Sequence, residues 1–330
     1  MDLGEKIEGR QIAVISHADD LDGIASAALI KIRFGVPLSN LFFTNYSKRT
    51  VQSIADMIKK IDVKYLFITD TGPNEQTTPI FKNIIAGLKK KGAAVIWLDH
   101  HEWNAHELEA LARKCDIAIV GENKKACATE IVRSFLGLSK PFETELAKIT
   151  HFSDFNIMPK NKRYARIIKN YALGIAYFNM THRFPEQNKN LVELVKLVSE
   201  GKIENEMIKR SARTFEKLNK ARVKKMISSL HVGNGFAIGF SRTVQATYAC
   251  GEIIRKSGMD IGMFVDTDTG KVHMRSVNGN VACIAKLFGG GGHPHAAGFS
   301  LSEKLQGRLD KKAREMLIEK IEDAITKCAQ

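Results

Sequence analysis

A chain of 330 residues, 44% hydrophobic and 26% charged, is long enough for two domains with their own cores and has the balance of a soluble globular protein. Fifty Lys and Arg against 36 Asp and Glu leave a formal charge of +14, which favours an anionic partner such as nucleic acid, although a generally basic surface would give the same total. No apolar run approaches the roughly 18 residues of a membrane span, and residues 1–6 do not open a secretory signal, so a cytoplasmic protein with no membrane partner is expected.

Short β-forming runs and amphipathic segments alternate through the first part. Strands are predicted over 11–16, 41–44, 64–69, 93–98 and 116–120, and helices over 23–34, 50–60 and 75–91. That alternation implies right-handed βαβ crossovers and a parallel sheet. From 142 to 230 helical patterns follow one another. The last, 204–230, sets Met207, Ala212, Phe215, Val223 and Met226 among lysines and arginines and reads as a long basic connector. After Gly233-Asn234-Gly235, strands are predicted over 236–241, 261–267 and 271–277, with Asp268-Thr269-Gly270 as a hairpin turn. Helices are predicted over 248–256, 282–288 and 308–328. The expected fold is α/β: a parallel-sheet domain over 1–200, a helical connector over 201–231, and a smaller α/β domain over 232–330. The cysteines Cys115, Cys127, Cys250, Cys283 and Cys328 include no C-x-x-C pair and suggest neither a disulfide framework nor a zinc-thiolate site.

Chemistry collects where the early strands end. The first runs into Ser16-His17-Ala18-Asp19-Asp20-Leu21-Asp22-Gly23, a crowding of one His and three Asp that is costly without a neutralising cation. Asp22 as a helix N-cap is the plainer alternative. A later strand delivers Asp70, alone more often a helix cap than a ligand, and the next delivers Asp99-His100-His101. Parallel strands place their carboxyl ends on one edge, so these groups converge in space. Mixed His and carboxylate donors suit manganese or magnesium, and there are too many for one ion, which points to a pair sharing a carboxylate. His106, His182, His231 and His273 are isolated and read as surface or core imidazoles. Asp266 and Asp268 read as turn formers, and Trp97 and Trp103 as packing; His151 stays open.

These segments resemble the DHH phosphoesterase family, named for the triplet that stands here as Asp99-His100-His101. His17 to Gly23 resembles its first motif, Thr69-Asp70-Thr71 its second, and the triplet its third. Ala126-Cys127-Ala128-Thr129-Glu130 is similar to the helix start that follows the triplet. Asp154 falls where a fourth motif is expected, although that motif often continues Asp-Thr-Gly and here continues Phe155-Asn156. Gly289-Gly290-Gly291-Gly292-His293 and Arg275-Ser276 are similar to motifs of the substrate-binding domain associated with the family. Independently, such a glycine run lets a backbone approach a phosphate or base and present N–H donors; a flexible turn is the alternative, as a solvated face is for Arg275.

The resemblance implies a phosphodiester hydrolase with two Mn2+, or Mg2+ or Co2+ in their place. It assigns His17, Asp20 and Asp70 to one ion, and Asp22, Asp70, His100 and Asp154 to the other, with a water activated between them. His101 would meet the phosphoryl oxygen or protonate the leaving group, and Asp99 would orient a histidine. Arg275, Ser276, Gly290, Gly291, Gly292 and His293 would bind the rest of the substrate, with closure across the connector. Short 5′-phosphorylated RNA or linear dinucleotides are the expected substrates, with cyclic dinucleotides or adenosine bisphosphate as the alternative. Longer single-stranded nucleic acid is a further partner suggested by the charge. A metal-binding, nucleic-acid-binding protein without turnover is the reading from another class, and a homodimer is compatible with all of these.

Overall fold

The structure, a computed structural model, describes residues 7–45, 47–121, 125–182, 184–301 and 309–328; the opening residues 1–6 and the expected helix start at Arg308 lie outside it. The chain divides into two units, Met1–Phe215 and Glu216–Gln330.

In the first unit β1 (Ile12–His17), α1 (Leu21–Phe34), β2 (Leu41–Thr44), α2 (Lys48–Ile58), β3 (Tyr65–Thr69), α3 (Thr78–Lys90), β4 (Ala94–Asp99), α4 (Ala105–Ala110) and β5 (Ile117–Val120) follow in order. A run of helices comes next: α5 (Ala128–Phe135), α6 (Pro141–Asp154), α7 (Lys162–Thr181) and α8 (Glu186–Ser199). The five strands form one parallel sheet in the order β2-β1-β3-β4-β5. From β1 the chain steps outward to β2 and then returns to β3 on the opposite side. The two connections diverge, so the carboxyl ends of β1 and β3 flank a crevice at a topological switch point.

Both faces of this sheet are covered, which is why its strands are apolar runs rather than alternating ones. Ile12 and Val14 pack with α1 and the helices from α5 onward, whereas Ala13 and Ile15 pack with α2 and α3. The two-residue period of β1 therefore feeds two separate cores.

The predicted connector is α9 (Glu206–Ile227), and it is not a free linker. Ala212 and Phe215 are buried against Leu173, while Val223 and Met226 are buried against Ala237 and Cys250. Each such burial is worth roughly 1.5–3 kcal/mol for a large side chain, enough to fix each half of the helix within its own unit.

The second unit continues with β6 (His231–Val232), β7 (Phe236–Ser241), α10 (Ala246–Ser257), β8 (Ile261–Asp266), β9 (Lys271–Ser276), α11 (Val281–Leu287), β10 (Gly291–His293), β11 (Ala296–Ser300) and α12 (Lys311–Cys328). Its sheet runs β10-β11-β9-β8-β7-β6, with β7 and β8 parallel and the other pairs antiparallel. Asp266 does form the predicted turn, its carboxylate accepting from the N–H groups of Asp268 and Thr269 at 2.8 and 3.3 Å. One expectation fails here: Cys283 and Cys328 are joined in a disulfide, their Cα atoms 6.0 Å apart. Forty-five residues separate them in sequence, and only the packing of α12 beside α11 brings them together.

Candidate metal centre

The crevice between β1 and β3 is built on a short polar ladder. The Thr69 hydroxyl donates to Ser16 Oγ at 2.9 Å, and Ser16 donates to the Gly23 carbonyl at 2.7 Å. This ties the start of α1 against the end of β1. Gly23 is required there, because a Cβ at that position would lie 2.1 Å from the His17 carbonyl oxygen.

Asp20, rather than Asp22, caps α1: its Oδ1 accepts from the N–H groups of Asp22 and Gly23 at 2.9 and 3.2 Å. His17 Nε2 lies 3.8 Å from Asp19 Oδ2 and 4.0 Å from Asp20 Oδ2. Freed from capping its own helix, Asp22 is buried beneath the start of α5. It accepts from the backbone N–H groups of Ala128 and Thr129, each at 2.8 Å, and from the Thr129 hydroxyl. Burial, reinforced by the nearby charge of Asp20, still pushes its carboxyl up to about 7 against the pull of Thr129.

Asp70 is not a helix cap. It follows β3 with φ +50°, a left-handed conformation uncommon outside glycine and tolerated best by Asp and Asn. Its Oδ2 is buried without a hydrogen-bond partner among the described residues. Burial first, then the charges of Asp22 and Asp20, hold its carboxyl well above the usual range.

His100 stands among the carboxylates. Its Nε2 is 3.5 Å from Asp70 Oδ1 and 3.9 Å from Asp22 Oδ2, and its Nδ1 is 3.6 Å from Asp154 Oδ2. Burial also raises Asp154, although His100 opposes the shift. Asp154 is the last residue of α6, which closes with Asn156 at φ +51° and the paired bonds Asn156 N–H to Ser153 O and Ile157 N–H to Phe152 O. That is a Schellman stop using asparagine, and it explains why Phe155-Asn156 stands at this point of the sequence.

Asp99 has a different assignment. Its Oδ1 is 2.7 Å from His101 Nδ1, and its Oδ2 accepts from the Trp103 indole N–H at 2.8 Å. Trp103, expected only to pack, therefore also steadies the carboxylate. Burial opposes ionisation of Asp99, but the contacts to His101 and Trp103 outweigh it and its pKa is lowered. Burial likewise opposes a charged His101, yet Asp99 raises its pKa overall. His151, left open above, has its Nδ1 2.8 Å from Glu130 Oε2, and Glu130 also accepts from the Cys127 N–H.

Donor atoms of Asp22, His100 and Asp154 lie within 4.8 Å of one another, as do those of Asp70, His100 and His101. Among the described residues, three buried or half-buried carboxylates pair here with a histidine and not with lysine or arginine, and one buried oxygen is unsatisfied. Such a donor set fits divalent cations. His17 and Asp20 belong to neither group; Asp20 is close enough for its charge to act on both Asp22 and Asp70.

The second unit accounts for the glycine run in another way. Gly289, at φ +73°, donates to Lys286 O, and Gly290 donates to Ala285 O, so the first two glycines close α11 in a Schellman motif. A Cβ on Gly290 would lie 2.2 Å from Gly298 O, and one on Gly292, at φ +138°, would lie 2.5 Å from Ala296 O. The Gly290 N–H is thus spent on the helix rather than offered to a ligand, while Gly291 and His293 lie exposed on the edge strand β10. Arg275 donates to Met274 O and to the Thr247 hydroxyl at 3.1 and 3.2 Å, and the Ser276 hydroxyl to Gly279 O.

Residues 242–327 match the DHHA1 domain family. No curated protein matches the chain. Among solved structures, RecJ in complex with Mn2+ from Thermus thermophilus aligns over 96% of this chain and 52% of its own at a TM-score of 0.56 and 14% identity. The chain thus spans about half the length of that RecJ. An exonuclease RecJ bound to manganese aligns over 96% and 90% at 0.55 and 14%. The pGpG-specific phosphodiesterase PggH from Vibrio cholerae aligns over 94% and 99% at 0.51 and 14%. At these identities the likeness is one of fold, and it extends across both units. The second unit thus carries a match to the DHHA1 domain family, and the chain shares its fold with RecJ and with PggH.

Proposed function

We propose that this protein is a divalent-metal-dependent exonuclease acting on short 5′-phosphorylated oligonucleotides, linear dinucleotides included. The observation that carries the reading is the buried cluster of Asp22, Asp70 and Asp154 around His100, with Asp70 Oδ2 unsatisfied. His17, Asp20 and Asp70 would hold one ion, and Asp22, Asp70, His100 and Asp154 a second. Bound ions, manganese above all, would supply Lewis acidity toward a phosphoryl oxygen and lower the pKa of an attacking water.

The chain's own residues do the rest. Asp22 is aimed by Ala128 and Thr129, so its oxygens cannot swing away when substrate enters. His101, its Nδ1 turned to Asp99, would meet the phosphoryl oxygen or protonate the leaving group, and its raised pKa leaves it a proton to give. Arg275 and His293 would take up the remaining nucleotide in the second unit. Asp99→Asn is expected to lower kcat by about 10- to 100-fold with metal stoichiometry unchanged, because it removes an orienting acceptor and not a ligand. Metal loss in that variant, measured by elemental analysis, would instead make Asp99 part of the metal shell.

The fold likeness to an exonuclease RecJ and to a pGpG phosphodiesterase supports cleavage of short linear strands, and the +14 charge supports an anionic substrate. The deciding measurement is a comparison of manganese-supported rates on a 5′-phosphorylated dinucleotide, a cyclic dinucleotide, adenosine 3′,5′-bisphosphate, and RNA and DNA strands of about 20 nucleotides. Fastest turnover of the linear dinucleotide is expected. A faster cyclic substrate would move the assignment to a cyclic-dinucleotide phosphodiesterase, and no hydrolysis of any of them by folded, manganese-loaded protein would leave a binding protein.

A further inference from the structure

Where α6 ends beside the carboxylate cluster, the chain turns apolar. Phe152, Phe155, Ile157 and Met158 fall within seven residues around Asp154. The two phenylalanines are half-buried, yet neither packs against a hydrophobic core of the first unit. Ile157 and Met158 are 45% and 83% exposed, so the segment presents apolar surface that the fold does not use. Single exposed apolar residues need no explanation, but a group of them at the edge of a charged crevice marks a place where something apolar binds. Asn156, at φ +51°, accounts for the helix stop, and nothing in that stop requires an aromatic ring at 155.

The Phe155 ring rests against two histidines. Its centroid lies 4.7 Å from that of His151 at an interplanar angle of 38°, and 6.4 Å from that of His100 at 65°. His151 is itself oriented by its Nδ1 contact to Glu130 Oε2 at 2.8 Å, and Phe152 meets it edge-on at 6.3 Å. His100 in turn stands among Asp22, Asp70 and Asp154. An aromatic surface therefore begins at the cluster and continues along the end of α6. A nucleotide phosphodiester drawn to the cluster carries one flat, apolar group a single sugar away, its base. Stacking on an aromatic ring reads the face of a base rather than its edge, so such a surface demands a base without choosing strongly among them.

We infer that Phe155, backed by His151, is a stacking platform for the nucleobase next to the scissile phosphate, and hence a specificity-determining residue that separates nucleotides from phosphodiesters lacking a base. The inference rests on the proposed exonuclease reading and deepens it, since it assigns recognition of the base to the first unit, beside the chemistry.

The test compares kcat/KM for a 5′-phosphorylated dinucleotide with that for the same molecule made abasic at each position in turn. At one position wild type is expected to favour the intact substrate by about 10- to 100-fold, the worth of one base–aromatic stack. In Phe155→Ala that ratio should collapse toward one, chiefly through KM. Phe155→Trp should retain it, whereas Phe155→Leu, apolar but not aromatic, should not; a ratio restored by leucine would reduce Phe155 to packing. An undiminished ratio in Phe155→Ala would overturn the inference, and self-association of wild type that Phe155→Ala abolishes, seen by sedimentation, would give the ring to a second copy of the chain instead. In parallel, 2-aminopurine riboside 5′-monophosphate, a fluorescent nucleotide with no diester to cleave, is titrated into magnesium-loaded protein. Quenching by wild type that is lost in Phe155→Ala, alongside no hydrolysis of any dinucleotide, would keep the platform and sink the exonuclease reading. Hydrolysis without quenching in wild type would keep that reading and sink the platform.

Discussion

Asp70→Asn is expected to reduce phosphodiester turnover by at least about 10²- to 10³-fold, the scale of removing one preorganised electrostatic group, while leaving the metal-free protein more stable than wild type. The two effects have one cause. Asp70 is buried, one of its oxygens has no partner among the described residues, and Asp22 and Asp20 repel its charge, so the carboxylate costs stability that a bound cation would offset. Asparagine keeps the shape and accepts the left-handed backbone at φ +50°, so the swap adds no conformational strain. Circular dichroism melts in EDTA and manganese titration by calorimetry would check it. A variant with normal rates, or with normal metal affinity, would remove Asp70 from its bridging place.

The second large effect is a reversal of the pH dependence of stability by metal. Folded Asp22 titrates at about 7, against roughly 4 for an unfolded aspartate, so the native state holds an extra proton between those values. Stability of the metal-free protein therefore falls as pH rises through that window, by an amount on the order of 4 kcal/mol for Asp22 alone. Asp70 and Asp154 shift in the same direction. Asp99, with its lowered pKa, acts oppositely, adding stability that is lost only as the solution becomes more acidic than an ordinary aspartate's titration. Urea midpoints in EDTA should be lower at about pH 7.5 than at about pH 5, and saturating manganese should abolish or invert that slope, since a ligand at about 100 times its Kd adds about 2.7 kcal/mol per site. A metal-free midpoint that climbs from pH 5 to 7.5 would contradict the buried-carboxylate account.

Much of this was legible in the sequence because strands that are buried on both faces are apolar without interruption, and each interruption by Asp or His marked a strand end. His17, Asp70 and Asp99 could be placed on one edge from that pattern alone. Contacts that depend on distant partners could not. Nothing local tells that Asp22 meets the N–H groups of Ala128 and Thr129, 106 and 107 residues away, or that Asn179 reaches Asp19 across 160. Trp103 was read as packing because an indole beside a strand end usually is; its N–H needed the position of Asp99 to acquire meaning. The glycine run shows the same limit. Glycine signals backbone freedom, and freedom serves a phosphate or a helix stop equally well; only the carbonyls of Ala285 and Lys286 decide that two of the four end α11. Cys283 and Cys328 illustrate the same limit, since their meeting depends on how two helices pack.

The ending of α6 gives the carboxylate cluster an uneven mechanical character. Asp70 and His100 issue from the ends of central strands and Asp22 is pinned by a second helix, but Asp154 stands on a terminal turn closed by backbone bonds to His151, Phe152 and Ser153. Terminal turns open at far lower free energy than sheet interiors. The cluster is therefore stiff on three sides and compliant on the fourth, and an ion placed there would be held least firmly on the side of Asp154.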